Sequence, residues 1–409
     1  MDIPVCSILD IIDELADNYR SCFGEVRQFR HFKEIITALN TTNKRSIAHL
    51  NSLILDHVNQ SNLNRFLSSH IDTDLMFTKT VEQINNIEDN GILVIDDTIV
   101  EKSGKNIEAA GWIYDHSSGR TVWGIQFVTT IFSGKYGIYP ISVQIYQRKE
   151  KLEKENKEDQ YKSKIDLQES IIEKCISSGL HFSTVIGDAW YFSRDLITFL
   201  NRNKLNWVFQ SKGNRRIKIE GRWTTLDSLS LSYLDSETIR ISGNVYTVWE
   251  VNGKMKDIGT VKVIISEGIG GRRYYVTNRI DWSIKKILET YLHRWDIEVM
   301  HRDLKQDGMG HIFLRKLGKM ELYLRLIVTG RVILEISSIK SLERYPNIPE
   351  KTEKRKRWVA FELLESTLNI FKKYGEHFLI ALRNSLMNPY KSTRNILNIG
   401  KKIYNGAVI

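Results

Sequence analysis

Gly91-Ile92-Leu93-Val94-Ile95-Asp96-Asp97-Thr98 is a short apolar run closed by two carboxylates. A continuous run of β-branched and aliphatic residues at this length reads as a strand buried on both faces. A carboxylate just beyond such a strand sits at the carboxyl edge of a sheet, where α/β proteins tend to place their sites. Asp96 and Asp97 are adjacent, so their side chains face opposite sides of the strand and only one can serve a given site.

Working outward, residues 119–133 and 136–146 are rich in Val, Ile, Thr, Tyr and Phe, and the Ser133-Gly134-Lys135 break between them predicts a hairpin. The Lys- and Glu-dominated stretch from Arg148 to Lys164 reads as an exposed loop leading into a helix over 165–178. A second buried strand, Phe182 to Ile186, ends at Gly187-Asp188. Ser193 is an N-cap for a helix through Leu200, and Asn206-Trp207-Val208-Phe209 is another strand. Hairpin strands followed by alternating helix and strand predict a mixed α/β sheet. Short β-like runs at 238–241, 245–251, 260–266 and 273–277 make 212–280 a β-rich insertion. Gly268-Ile269-Gly270-Gly271 is a hairpin turn there, since no strand–helix context supports a phosphate loop. A long helix is expected from about Ser283 to Gln306, capped by Asp281 or Ser283, and an apolar helix over 320–338.

Four regions result: a helical N-terminal domain (1–90), a core (91–211 with 281–338), the insertion (212–280) and a basic, mainly helical C-terminal region (339–409). Helical spacing in Ile8-Leu9-Ile11-Ile12-Leu15 and Ile47-Leu50-Leu53-Ile54 supports the first. The last contains the cluster Lys354-Arg355-Lys356-Arg357.

At 409 residues, 42% hydrophobic and 26% charged, the composition is that of a soluble globular protein. No apolar run reaches the ~18 residues of a membrane span. Acidic residues at Asp2, Asp10, Asp13 and Glu14 do not fit a secretory signal. Cys6, Cys22 and Cys175 are too scattered for a disulfide framework or zinc knuckle, so a cytoplasmic protein is expected. The net charge of +10 is uneven. Residues 1–90 hold 8 Lys and Arg against 13 Asp and Glu; residues 301–409 hold 21 against 10. The basic end fits a polyanion partner, an anionic membrane surface or a simply solvated surface.

On the long helix, Tyr291, Arg294, Glu298 and Lys305 stand at spacings of three, four and seven. At ~100° per residue they share an arc of about 60°, and the face runs for about 21 Å. An acid flanked by two cations and a phenol suits a phosphate backbone lying along the helix; an ordinary solvated face with an Arg294–Glu298 pair would carry the same residues. Asp96 or Asp97, Asp188 and Glu298 together offer three hard oxygen ligands, which suit Mg²⁺. Two such ions ~3.5–4 Å apart can clamp the attacking and leaving oxygens of an in-line displacement.

These residues resemble the insertion-sequence DDE transposases with an RNase H-like core and a Y-x2-R-x3-E-x6-K signature. Tyr291, Arg294, Glu298 and Lys305 match the signature; Asp96-Asp97-Thr98 resembles the first-acid segment and Gly187-Asp188-Ala189-Trp190-Tyr191 the second. The likeness covers roughly 91–335, with a weaker echo over 43–75. It implies an RNase H-like mixed sheet flanked by helices, with Asp96, Asp188 and Glu298 as catalytic ligands of two Mg²⁺ ions that Mn²⁺ can replace. Asp96 puts Thr98 at the expected offset, whereas a one-residue shift would select Asp97. Tyr291, Arg294 and Lys305 would contact DNA. The resemblance also implies hydrolysis at double-stranded element ends, strand transfer through a hairpin step, and a homodimer on DNA. In related family members an aromatic stacks on a flipped base, so the resemblance makes Trp223, Trp249 and Trp282 candidates for that role, with packing as the alternative for each. A nuclease with the same core, or a DNA-binding protein that has lost catalysis, are the rival readings.

Overall fold

The computed structural model describes residues 8, 10–41, 46–54, 60–116, 118–241, 243–268 and 270–344. The Lys354–Arg357 cluster and the terminal helical segment lie outside the described residues. The chain divides into two compact units, one of Met1–Thr80 with Asp303–Ile409 and one of Val81–Arg302.

The chain opens with helices α1 (Asp10–Asp17), α2 (Val26–Thr41), α3 (Ile47–Leu53), α4 (Gln60–Phe66) and α5 (Thr73–Asn85). Then come β1 (Gly91–Glu101), β2 (Gly111–Asp115), β3 (Arg120–Ser133) and β4 (Ile138–Tyr146). Helices α6 (Lys149–Lys154) and α7 (Lys164–Ser177) lead to β5 (Phe182–Gly187), α8 (Arg194–Arg202) and β6 (Asn206–Ser211). The insertion supplies β7 (Arg216–Ile219), β8 (Arg222–Thr225), β9 (Ser236–Ile241), β10 (Asn244–Met255), β11 (Gly259–Gly268) and β12 (Gly271–Thr277). Helices α9 (Ile284–Leu292), α10 (Arg294–Asp307) and α11 (Leu317–Arg344) follow.

All strands of the Val81–Arg302 unit belong to one sheet. β4, β3 and β1 pair antiparallel, and β5 and β6 continue in parallel with β1. Helices α7 and α8 make the crossovers that parallel neighbours require. This order, β4-β3-β1-β5-β6, is the expected RNase H-like core. β12 pairs antiparallel with β6, so the insertion continues the same sheet through β11 and β10. Gly268 pairs with Gly271 at the expected end of the β11–β12 hairpin.

Two expectations need correction. β1 does not stop at Asp96; Thr98-Ile99-Val100 are β-formers and keep pairing with β3 as far as Glu101 opposite Gly124. Asp96 therefore lies mid-strand, past the end of the parallel pairing with β5, where Ile95 is opposite Gly187. The long helix is two helices, broken at His293. The His293 Nδ1 meets Ser133 Oγ at 2.9 Å and Asp296 Oδ2 at 3.0 Å, and Ser133 Oγ donates to Asp296. Ser133 ends β3, so the break is pinned to the sheet. Of the two cap candidates, Ser283 is used: its Oγ accepts from Lys286 N. Ser193 caps α8 in the same way, through Leu196 N.

In the other unit, α2 and α11 pack against each other, with Ile36 beside Gly330. Arg331 of α11 is buried with three carboxylates, Asp303, Asp307 and Glu335.

Candidate active site

The pleat of β1 separates the two adjacent aspartates. Asp97 faces α7. Its carboxylate accepts from Lys164 Nζ at 3.0 Å, Gln126 Nε2 at 2.6 Å and the Tyr191 hydroxyl at 3.1 Å. These partners occupy its acceptor sites, which suits a structural role. Asp96 faces the α10 side. Its Oδ2 meets Arg294 Nη2 at 3.1 Å, with the carboxylate 14% exposed. Burial pushes Asp96 up to about 7; Arg294 works against this and Asp188 adds to it.

Asp188 follows β5 directly. Its Oδ1 accepts from the backbone of Trp190 at 2.9 Å and Tyr191 at 3.2 Å, which fixes the turn. Ile95 and Gly187 are the last register partners of the parallel pair, so Asp96 and Asp188 each follow directly on that pair, Asp96 within β1 and Asp188 just beyond β5. Gly187 permits the close packing before them: a Cβ there would lie 2.7 Å from the Phe209 ring and 3.0 Å from Ile95.

Glu298 projects from α10, 45% exposed, with Oε1 at 3.1 Å from Arg294 Nη1. Arg294 thus joins the first and third acids. Its Nε is buried with no hydrogen-bond partner among the described residues. Burial pulls the Arg294 pKa down, but Asp96, Tyr291, Glu298 and Asp188 together carry it above the usual arginine value. The Tyr291 hydroxyl donates to Gln210 Oε1 at 3.3 Å, and its ring lies 4.7 Å from Tyr275. Burial holds that hydroxyl well above its ordinary pKa. Lys305 is seven residues beyond Glu298 on α10 and falls in the other compact unit.

Among the described residues, no three His, Cys, Asp or Glu side chains converge as a metal-binding group. The donor chemistry nevertheless fits a divalent cation. Carboxylate oxygens are hard ligands, and the guanidinium of Arg294 already stands as a cation between two of the acids. Beside Asp188 opens a cleft of about 500 Å³ lined by Ala189, Trp190, Lys212, Asn214 and Arg215.

Sequence reasoning missed Lys164, Gln126 and Tyr191 around Asp97, and the Ser133–His293–Asp296 group. Only His293 and Asp296, three apart, carried a local signal. Of the three candidate tryptophans, Trp282 is buried, Trp249 half-buried, and Trp223 exposed under the Arg216 guanidinium.

A mixed sheet of RNase H-like order flanked by helices is the architecture of this chain. The chain belongs to the transposase family described as "Archaeal putative transposase ISC1217", whose sequence model matches residues 30–342. The expected insertion-sequence transposase is thereby borne out. A relative, described as "Probable transposase for insertion sequence element IS701" of Microchaete diplosiphon, is 27% identical over 223 residues. That match takes in 53% of this chain and 57% of the relative's length. The solved "Drosophila P element transposase strand transfer complex" matches at 14% identity over 52% of this chain and 53% of its own, with a TM-score of 0.24, too low to define a shared fold.

Proposed function

We propose that this chain cuts double-stranded DNA at the terminal inverted repeats of an insertion sequence and joins the freed 3′ ends to target DNA. Asp96, Asp188 and Glu298 are the catalytic carboxylates and the ligands of two Mg²⁺ ions, with Mn²⁺ able to substitute. Ions held there would supply charge neutralisation for the reacting phosphodiester and activation of water. The protein's own contribution is positioning. Asp188 is held by two backbone amides, and α10 is pinned to the end of β3 through His293. Arg294 keeps Asp96 and Glu298 in reach of one another. Tyr291, Arg294 and Lys305 contact the DNA backbone, and a homodimer holds the paired ends in the cytoplasm. Among the described residues no helix is long and apolar enough to cross a membrane.

The observation that carries this reading is the register of β1 and β5, which sets Asp96 beside Asp188 on the face where Arg294 links Asp96 to Glu298. Family membership supports the rest. The test is a Mg²⁺-dependent cleavage and strand-transfer assay on DNA flanking the gene, with Asp188→Ala and Glu298→Ala alongside. Joined products from the unaltered chain alone are expected. Cleavage without joining would make the protein a nuclease, and DNA binding without reaction a non-catalytic binder.

A further inference from the structure

The turn after β5 carries a buried phenol, Tyr191, whose two hydrogen bonds reach two different aspartates. We propose that Tyr191 is a positioning residue: it ties Asp188 to Asp97 and thereby fixes the spacing of the two sheet carboxylates, Asp96 and Asp188. This role rests on the reading of those acids as metal ligands and adds the residue that aligns them.

The connection itself comes first. The Tyr191 N–H donates to Asp188 Oδ1 at 3.2 Å, and its hydroxyl donates to Asp97 Oδ1 at 3.1 Å. Asp97 follows Asp96 directly, with the two Cα atoms ~3.8 Å apart. One residue thus spans from the second acid to the neighbour of the first, across 94 positions of sequence. The pairing of β1 with β5 does not hold the acids by itself, because it ends at Ile95 and Gly187.

Asp97 does not need the phenol for its own sake. Lys164 Nζ donates to both of its oxygens at 3.0 Å, and Gln126 Nε2 donates to Oδ2 at 2.6 Å. An ion pair and an amide already satisfy that carboxylate, and they anchor it to α7 and β3. Asp97 is therefore a fixed post. A phenylalanine would fill the same space without a hydroxyl to desolvate, and burying a hydroxyl is unfavourable unless its bond returns something. What it returns lies at the other end of the residue.

That end is Asp188, which is held on one side only. The amides of Trp190 and Tyr191 both land on Oδ1, and among the described residues none donates to Oδ2. A carboxylate gripped by one oxygen has its rotation set and keeps the other oxygen for a ligand. Partners of this kind orient metal ligands. Tyr191 is 0% exposed and its ring packs edge-on against Trp190 at 4.9 Å, so the tether is stiff.

The test is Mn²⁺ binding by the full-length protein without DNA, read by electron paramagnetic resonance of the free ion. Amide hydrogen exchange of the metal-free protein accompanies it. Tyr191→Phe removes the hydroxyl and no formal charge, so a change in affinity cannot come from altered net charge. It should weaken Mn²⁺ binding about tenfold. The amides at positions 190 and 191 should exchange faster, while those of β5 keep their protection and show that the variant is folded. Asp188→Ala sets the scale for loss of the ligand itself. Unchanged Mn²⁺ affinity in Tyr191→Phe would overturn the positioning role. So would weaker binding with unaltered exchange at 190 and 191, or equal acceleration through β5, which is the mark of a merely structural phenol. If the unaltered chain bound no Mn²⁺, or bound it as well after Asp188→Ala, the carboxylate site itself would fall, and the role of Tyr191 with it.

Discussion

At the scale of single residues, the decisive side chain is Arg294. Its guanidinium binds Asp96 and Glu298, each at 3.1 Å, where a divalent ion would also draw on those carboxylates. A fixed positive charge a few ångströms away opposes a second cation, and in a partly buried site the repulsion amounts to a few kcal/mol. Arg294→Gln is therefore expected to tighten Mn²⁺ binding about tenfold, read by electron paramagnetic resonance of the free ion. Weaker binding would mean that the hold of Arg294 on Asp96 and Glu298 outweighs its repulsion of the ion. Asp96 gives a second prediction. Burial raises it from 3.8 to about 7, so its ionised form is disfavoured in the folded state. For such a group the stability is full below the unfolded pKa and is lost as pH rises through the folded one. The metal-free protein should lose stability between about pH 4 and 7 on this account. Asp96→Asn should be more stable than the unaltered chain at pH 8, by up to about 4 kcal/mol, with little difference at pH 4. Urea melts at the two pH values decide this; a gain of equal size at both would remove the titration of Asp96 as its cause.

At the scale of elements, most of the sheet was readable in the sequence because the signals are local. Val94 and Ile95 in β1, Val185 and Ile186 in β5, and the Ser193 cap of α8 each carry their own pattern. The end of β1 and the break at His293 were not readable, since both depend on β3, more than twenty residues from one and over 150 from the other in sequence. The partners of Asp97 are equally non-local: Lys164 meets it across 67 positions. Glu88, buried ahead of β1, shows the same dependence. Its carboxylate accepts from the backbone N–H groups of Lys135, Tyr136 and Gly137, each at 2.8 Å, and from the Tyr139 hydroxyl. One side chain thereby satisfies three amides of the β3–β4 turn, and Gly134 and Gly137 leave the space for it and for Tyr139. Glu88→Ala strands these donors and should cost roughly 2–4 kcal/mol, seen as a lower urea midpoint. A midpoint within error of the parent would show that water replaces the carboxylate.

At the scale of the molecule, the two units are built differently. The sheet unit, Val81–Arg302, is one continuous stretch, whereas the helical unit draws on both ends of the chain. That discontinuous unit concentrates charge in its interior. Arg331, 1% exposed, is the cation shared by Asp303, Asp307 and Glu335, and those carboxylates surround it well enough to raise its pKa against the pull of burial. Removing one partner of a buried ionic cluster leaves uncompensated charge and typically costs ~3–5 kcal/mol. Arg331→Met nearly preserves volume, so the loss would be electrostatic rather than a cavity. The expected outcome is faster amide hydrogen exchange in α2 and α11, with protection retained in β1 and β5. The reason is that Asp303, Asp307 and Glu335 all lie in the helical unit, and local opening follows such cooperative units. Loss of protection in β1 and β5 to the same extent would instead show that the two units unfold as one, and the discontinuous unit would then have no stability of its own to lose.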